Sequence, residues 1–180
     1  MSGGHAGLAG AALGGMLCLN AGVAMAADSV PGMRADAPGI EIAREGGPAR
    51  LVAASELATL PAVQVTVRSE LGHGPSQRTF SGPLLWTVLE RGGLVEGLGA
   101  RDQARAAVVV TGRDDYVAVI ALGEISPEFE AKQVIIAENV DGQPIPPENL
   151  RIVVPGDKRG ARNVHEIGWI KLLAALAGTH

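Results

Sequence analysis

Apolar and polar positions alternate with a period of two through much of the chain beyond residue 38. Ile40 and Ile42 are separated by polar Glu41, Gly46-Gly47-Pro48 supplies a turn, and Leu51-Val52 resumes the apolar run, a pattern that predicts a hairpin. Val63, Val65 and Val67 interleave with Gln64, Thr66 and Arg68, as in a strand with one buried face, up to the turn Gly72-His73-Gly74-Pro75. Four further β-rich runs follow: Ala107 to Thr111, Tyr116 to Leu122, Val134 to Val140 turned by Asp141-Gly142, and Leu150 to Val154 ended by Pro155-Gly156. Helical signals are fewer. Ser55-Glu56-Leu57-Ala58 predicts a short turn capped by the Ser55 hydroxyl and stopped by Pro61. Pro83 is expected at a first helical position, followed by an apolar stripe of Leu84, Leu85, Val88 and Leu89 and closed by Gly92-Gly93. Strands outnumber helices, with two or three short helices inserted between them, so the predicted class is α+β, mixed and β-rich.

The ends of the chain read differently. Residues 1–26 contain no Lys, Arg, Asp or Glu, run through Ala, Gly and Leu, and reach Ala24-Met25-Ala26 just before polar Asp28-Ser29. That layout predicts a secretory signal peptide, although its amino end lacks the usual positive charges. The apolar run is shorter than the ~20 residues a spanning helix needs and is broken by Gly7, Gly10, Gly14 and Gly15, so no transmembrane segment is expected in the mature chain. Residues 27–38, with Pro31, Gly32 and Pro38, read as a flexible leader, and residues 39–180 as one domain. Cleavage after Ala26 takes 26 of the 180 residues and leaves 154, enough for one core. The expected location is periplasmic or secreted.

Charge and composition exclude several functions. The net charge of −4 and the scarcity of aromatic residues argue against nucleic-acid binding. The single cysteine, Cys18, would leave with the signal, so the mature chain has neither a disulfide nor a thiolate for a metal. No Gly-x-Ser-x-Gly elbow, no phosphate loop and no dinucleotide fingerprint occurs. His73 and His165 lack the spacing of a zinc site, and Glu90, Glu96, Asp102 and Glu124 are scattered carboxylates, so no catalytic or metal-ligating residue is assigned.

One segment concentrates chemistry. Lys158, Arg159, Arg162 and His165 place four cationic or donor groups within eight residues, bracketed by Gly156 and Gly160. A glycine-bearing turn can aim backbone N–H groups at an anion, while the plain alternative is a solvated basic loop. Phe80 and Trp86 are read as core, and Asp114-Asp115-Tyr116 as a strand entry in which Tyr116 buries its ring and leaves its hydroxyl free for a partner.

Four segments then occur in a fixed order: FSGPLLWTVLERGGL at 80–94, VVVTGRDDYVAVIAL at 108–122, VIIAENVDGQPIP at 134–146 and LRIVVPGDKRGARNVHEIGWIKL at 150–172. Together they resemble the molybdopterin-binding domain of the sulfite oxidase family. The resemblance implies a reduced, sulfite-oxidase-like fold and a pterin or molybdopterin ligand. It implies that Arg162, Asn163 and His165 fall where the family places ligand-binding side chains, and Lys158 and Arg159 of the same basic loop and Tyr116 are assigned to cofactor binding with them. His165-Glu166 stands where oxidases of the family often carry Lys-Trp. Catalytic members of the family also use a cysteine thiolate on molybdenum and are longer in both directions.

Two functional expectations follow. The first is an exported pterin-binding or sensor domain, non-catalytic, answering to a membrane-bound signalling partner. The alternative is a molybdopterin-dependent oxidoreductase, or a subunit of one, with the metal completed without a protein thiolate. A purely structural module without a ligand also stays open.

Overall fold

The structure, a computed structural model, describes residues 38–69 and 76–174. The expected signal peptide and most of the leader, with Cys18, and the turn containing His73 therefore lie outside the described residues. The strands are β1 (Gly39–Arg44), β2 (Arg50–Ala53), β3 (Ala62–Ser69), β4 (Ser76–Pro83), β5 (Ala107–Gly112), β6 (Val117–Ala121), β7 (Ile135–Ala137), β8 (Asn139–Val140), β9 (Gln143–Pro144), β10 (Arg151–Val153) and β11 (Ile167–Leu173). Four short helices intervene: α1 (Ala54–Leu57), α2 (Leu85–Arg91), α3 (Ala100–Gln103) and α4 (Leu122–Ile125). Single 3-10 turns lie at Pro147–Asn149 and Gly160–Arg162.

Three sheets make the fold. A five-stranded sheet has the order β2-β1-β11-β5-β6, a four-stranded sheet the order β3-β4-β8-β9, and β7 pairs with β10 between them. Within the five-stranded sheet β1 runs parallel to β11, with Glu41 opposite Trp169, and the other neighbours are antiparallel. Two buried clusters separate the layers. The larger includes Ile40, Ile42, Val108, Val110, Ile120 and Ile170 of the five-stranded sheet with Leu85, Val88 and Leu89 of α2. The smaller sets Val65 and Phe80 against Ile135, Ala137 and Val153. Ile136 and Ile152 belong to the larger cluster and their neighbours to the smaller, so the β7-β10 ribbon is buried on both faces. Apart from Arg151 its sequences are accordingly apolar runs, the expected pattern for a strand with no solvated face. Burying a side chain such as Leu85 or Leu89 contributes about 1.5–3 kcal/mol.

The crossing of β4 over the ribbon requires Gly82. A Cβ there would lie 1.9 Å from the Ile136 carbonyl oxygen, so no other residue fits without moving a backbone. Just beyond, Leu85 N–H donates to Val134 O at 2.8 Å and starts α2.

The β-rich α+β architecture agrees with the sequence reading, and several details differ. Four α-helices are present among the described residues, not two or three, because α3 and α4 are single turns at the edges of strands. Ser55 is not a cap: Ala53 occupies that position with extended backbone, and no side chain caps the turn. Pro83 ends β4, two residues before α2 begins at Leu85. The run 134–140 is divided at Glu138 into β7 and β8. Two strands carry no clear sequence signal. In β4, Phe80 is the only large apolar residue, and in β11 a register shift between Ile167 and Trp169 breaks the two-residue period.

Candidate functional site

The loop between β10 and β11 holds the basic segment and is fastened by a network of ions. The Arg162 guanidinium grips Asp157 with two donors, Nε to Oδ2 at 2.9 Å and Nη2 to Oδ1 at 2.7 Å. It reaches Glu124 of α4 with Nη1 to Oε2 at 3.0 Å and Nη2 to Oε1 at 3.2 Å. Lys132 Nζ donates to Glu124 Oε1 at 2.7 Å and lies 4.0 Å from Asp157 Oδ1. Two cations and two carboxylates thus neutralise one another, in the paired fork geometry that guanidinium favours. Burial pushes the Glu124 carboxyl up, but the hydrogen bonds and charges of Arg162 and Lys132 outweigh it and hold the pKa below the ordinary range. The hydrogen bond from Arg162 holds Asp157 low against its burial, and the same two carboxylates push Arg162 further up.

The remaining sequence-predicted residues take three kinds of position. Asn163 Oδ1 accepts from Val154 N–H at 2.9 Å, and the Tyr116 hydroxyl donates to Ala161 O at 2.7 Å. Both shape the loop. Tyr116 is 47 % exposed and its hydroxyl is engaged, so neither the expected burial nor the expected free hydroxyl is found. Lys158, Gly156 and Asp157 line an open cleft of about 650 Å³, bordered by Thr66 and Arg68 of β3, within the size range of ligand sites. Gly156 has φ of +84°, which lets the chain turn sharply at the lip of that cleft. Arg159 and His165 are exposed.

His165 stands beside a residue that sequence reasoning missed. Ile152 N–H donates to Val164 O at 2.9 Å and Ile167 N–H to Leu150 O at 2.9 Å, so Arg151 lies opposite His165-Glu166. Glu166 has φ of +50°, an extra bulge-like residue that tightens this crossing, and a Cβ on Gly112 would sit 2.8 Å from the His165 carbonyl oxygen. The Nε of Arg151 is buried and has no hydrogen-bond partner among the described residues. Burial and the nearby Arg78 charge push the Arg151 pKa down. Arg78 itself has an exposed ion pair with Asp141 at 3.5 Å. Partial desolvation and the Arg151 charge push His165 down, against the opposing pull of Glu166 and Asp114.

A half-buried guanidinium that feels another cation and whose Nε lacks an acceptor carries an uncompensated cost, which an anionic ligand would relieve. The sequence signal for Arg151 was a single charge inside an apolar run on a strand buried on both faces. Among the described residues no cluster of His, Cys, Asp and Glu could hold a metal ion.

The family model described as oxidoreductase molybdopterin binding domain matches residues 52–178. The chain belongs to this family. Among solved structures it is similar to the sulfane dehydrogenase SoxCD of Paracoccus pantotrophus, with 13 % sequence identity and a TM-score of 0.57. The likeness covers 76 % of this chain and 38 % of that one, so the present chain spans well under half of that protein's length, and at this identity it establishes the shared sulfite oxidase-like fold. No curated protein matches the sequence.

Toward the phosphate-bearing pterin that the family name implies, Arg151 offers a buried Nε donor without a partner, and the cleft lined by Arg68 and Lys158, of which Arg151 is not a lining residue, offers room and positive charge. When bound, the dithiolene of this cofactor is the group that carries a molybdenum and its electrons.

Proposed function

We propose that this chain is an exported domain that binds a molybdopterin-type pterin without catalysing a redox reaction of its own, and that passes the ligand-loaded state to a membrane-bound signalling partner. The observation that carries the ligand reading is the buried, unpartnered Nε of Arg151 next to His165. In this reading Arg151, with His165 and Arg78, receives the phosphate, while Lys158 and Arg68 border the cleft that admits the ring system. Arg162, Asn163 and Tyr116 act on the ligand indirectly, because their polar groups are already engaged in holding the loop. Arg159 adds positive charge at the surface.

The non-catalytic part rests on composition. The chain's one cysteine, Cys18, precedes the domain, so the domain has no thiolate to offer a soft metal centre. The export part rests on the apolar, uncharged residues 1–26 and their Ala24-Met25-Ala26 ending. Among the described residues no helix is long and apolar enough to cross a membrane. The family's name favours the second reading, a molybdopterin-dependent oxidoreductase or a subunit of one.

One preparation distinguishes the two. Protein purified from the periplasm of its own cells is oxidised, its released pterin measured by fluorescence, and its molybdenum measured by mass spectrometry. Pterin without stoichiometric molybdenum is the expected result. Pterin with about one molybdenum per chain supports the oxidoreductase instead. Absence of both across growth conditions, together with no binding of added reduced pterins, overturns the ligand reading.

A further inference from the structure

The five-stranded sheet has two faces, and only one meets a buried cluster. Ile42, Ile170, Val110 and Ile120 point into the larger core, so their neighbours Glu41, Trp169, Val109 and Val119 point the other way. Trp169 and Val109 are half-buried and belong to neither cluster, and the face is exposed mainly along its outer strands. Leu51 is 43 % exposed, Val117 51 % and Val119 53 %. A sheet with one solvated face normally alternates apolar-in with polar-out, and this mixed sheet carries apolar side chains on both sides. Contiguous apolar surface of this kind marks an interaction site.

The face also has a distinctive charge layout. Its strands place just two charged side chains on it, Glu41 of β1 and Lys171 of β11. Glu41 pairs in register with Trp169 and Lys171 with Ala43, so the two charges sit diagonally on adjacent central strands. No ion pair joins them among the described residues. A foreign partner would have to carry a matching anion and cation in reversed order. A second copy related by a two-fold axis brings that arrangement automatically, Glu41 of each facing Lys171 of the other. Five strands about 4.8 Å apart and about five residues long give roughly 400 Å² in plan before side-chain relief, about half the ~800 Å² per partner of a standard interface, which suits a weak dimer.

We infer that the open face of the five-stranded sheet is a homodimer interface, in which the apolar side chains around Trp169 and Val119 pack against their copies and Glu41 pairs across the axis with Lys171. The cofactor reading is not needed for it, since the face and the β10-β11 loop are separate features.

Light scattering at protein concentrations up to about 100 μM, where a dimer of micromolar affinity is populated, gives the mass. The purified protein is expected at twice the chain mass. Val119→Glu, on an exposed edge-strand position that leaves the core intact, is expected to weaken dimerisation by about a hundredfold or more, as burying an unpaired charge costs several kcal/mol. Glu41→Lys and Lys171→Glu should each weaken the homodimer by about tenfold, and mixing these two variants should restore association, because each then meets its opposite charge twice. A monomeric mass at every concentration overturns the inference. So does a dimer indifferent to Val119→Glu, which would place the contact elsewhere. A chain that is monomeric with residues 1–37 and dimeric without them would show its own N-terminal segment covering the face, and would equally overturn the inference.

Discussion

Replacing Arg162 with alanine removes the centre of the ion network that pins the β10-β11 loop. Four hydrogen bonds to Glu124 and Asp157 disappear, and the two carboxylates keep Lys132 as their one cation in the network. Stranding a partner of a fully buried ion pair costs about 3–5 kcal/mol, while exposed pairs are worth about 0–1 kcal/mol. Here the side chains are 31 % exposed for Arg162, 17 % for Glu124 and 18 % for Asp157, between those limits. With Lys132 remaining, the expected destabilisation is about 2 kcal/mol at neutral pH, a fall in Tm of about 4–8 °C for a domain of this size. The pH dependence carries the sharper test. Glu124 and Asp157 have lowered pKa values in the folded state, so their contribution is present above the ordinary carboxylate range and is lost as pH falls through the depressed values. The variant loses that contribution at every pH, so its deficit should be full at neutral pH and shrink below about pH 4. Arg162→Lys should recover part of the loss, since a point charge replaces the fork without its geometry. Urea denaturation followed by tryptophan fluorescence at neutral and acid pH measures all three. A deficit under about 0.5 kcal/mol, or one of equal size at both pH values, would refute the network's role.

Three further outcomes are expected. Gly82→Ala should destabilise the fold by about 3 kcal/mol or more, because the added methyl meets the Ile136 carbonyl across a tight strand crossing; near-native stability would show that β4 can move aside. Ala131, held at φ of +51° by its N–H bond to Ser126 O, should be improved by glycine by up to about 1 kcal/mol, read as a higher denaturation midpoint. Sulfate, which keeps its charge across the range, should bind the Arg151–His165 site more tightly as pH falls from about 7.5 to 5.5, because burial and the Arg151 charge push the His165 pKa down and a bound anion would push it up. His165→Gln should flatten that dependence, and a pH-independent affinity in the parent protein would exclude the imidazole from the site.

How much of this was legible in the sequence depended on how each element is buried. Strands with one buried face, such as β3 and β5, announce themselves by alternation, and the β7-β10 ribbon, apart from Arg151, by apolar runs. β4 stayed hidden because its tight crossing demands Gly82 where a side chain would have signalled a strand, and β11 because its bulge shifts the period. The basic loop was visible as a charge cluster, but its arrangement was not. Arg162 looks like a free cation until Glu124, 38 positions earlier, is brought against it. Arg151 looks like a surface residue of a strand until both faces of that strand are seen to be covered. In both cases what decides the role is a partner, or the lack of one, supplied by residues distant in sequence.

The central claim is that Arg151 receives the anionic end of a pterin ligand. Its most direct test compares the pterin released from protein purified with and without Arg151→Gln, with folding of both verified by circular dichroism. A fluorescent pterin is expected from the parent protein and a loss of about tenfold or more in the variant, as removal of a charged hydrogen-bond donor from a half-buried site implies. Equal pterin content in two folded proteins would contradict it.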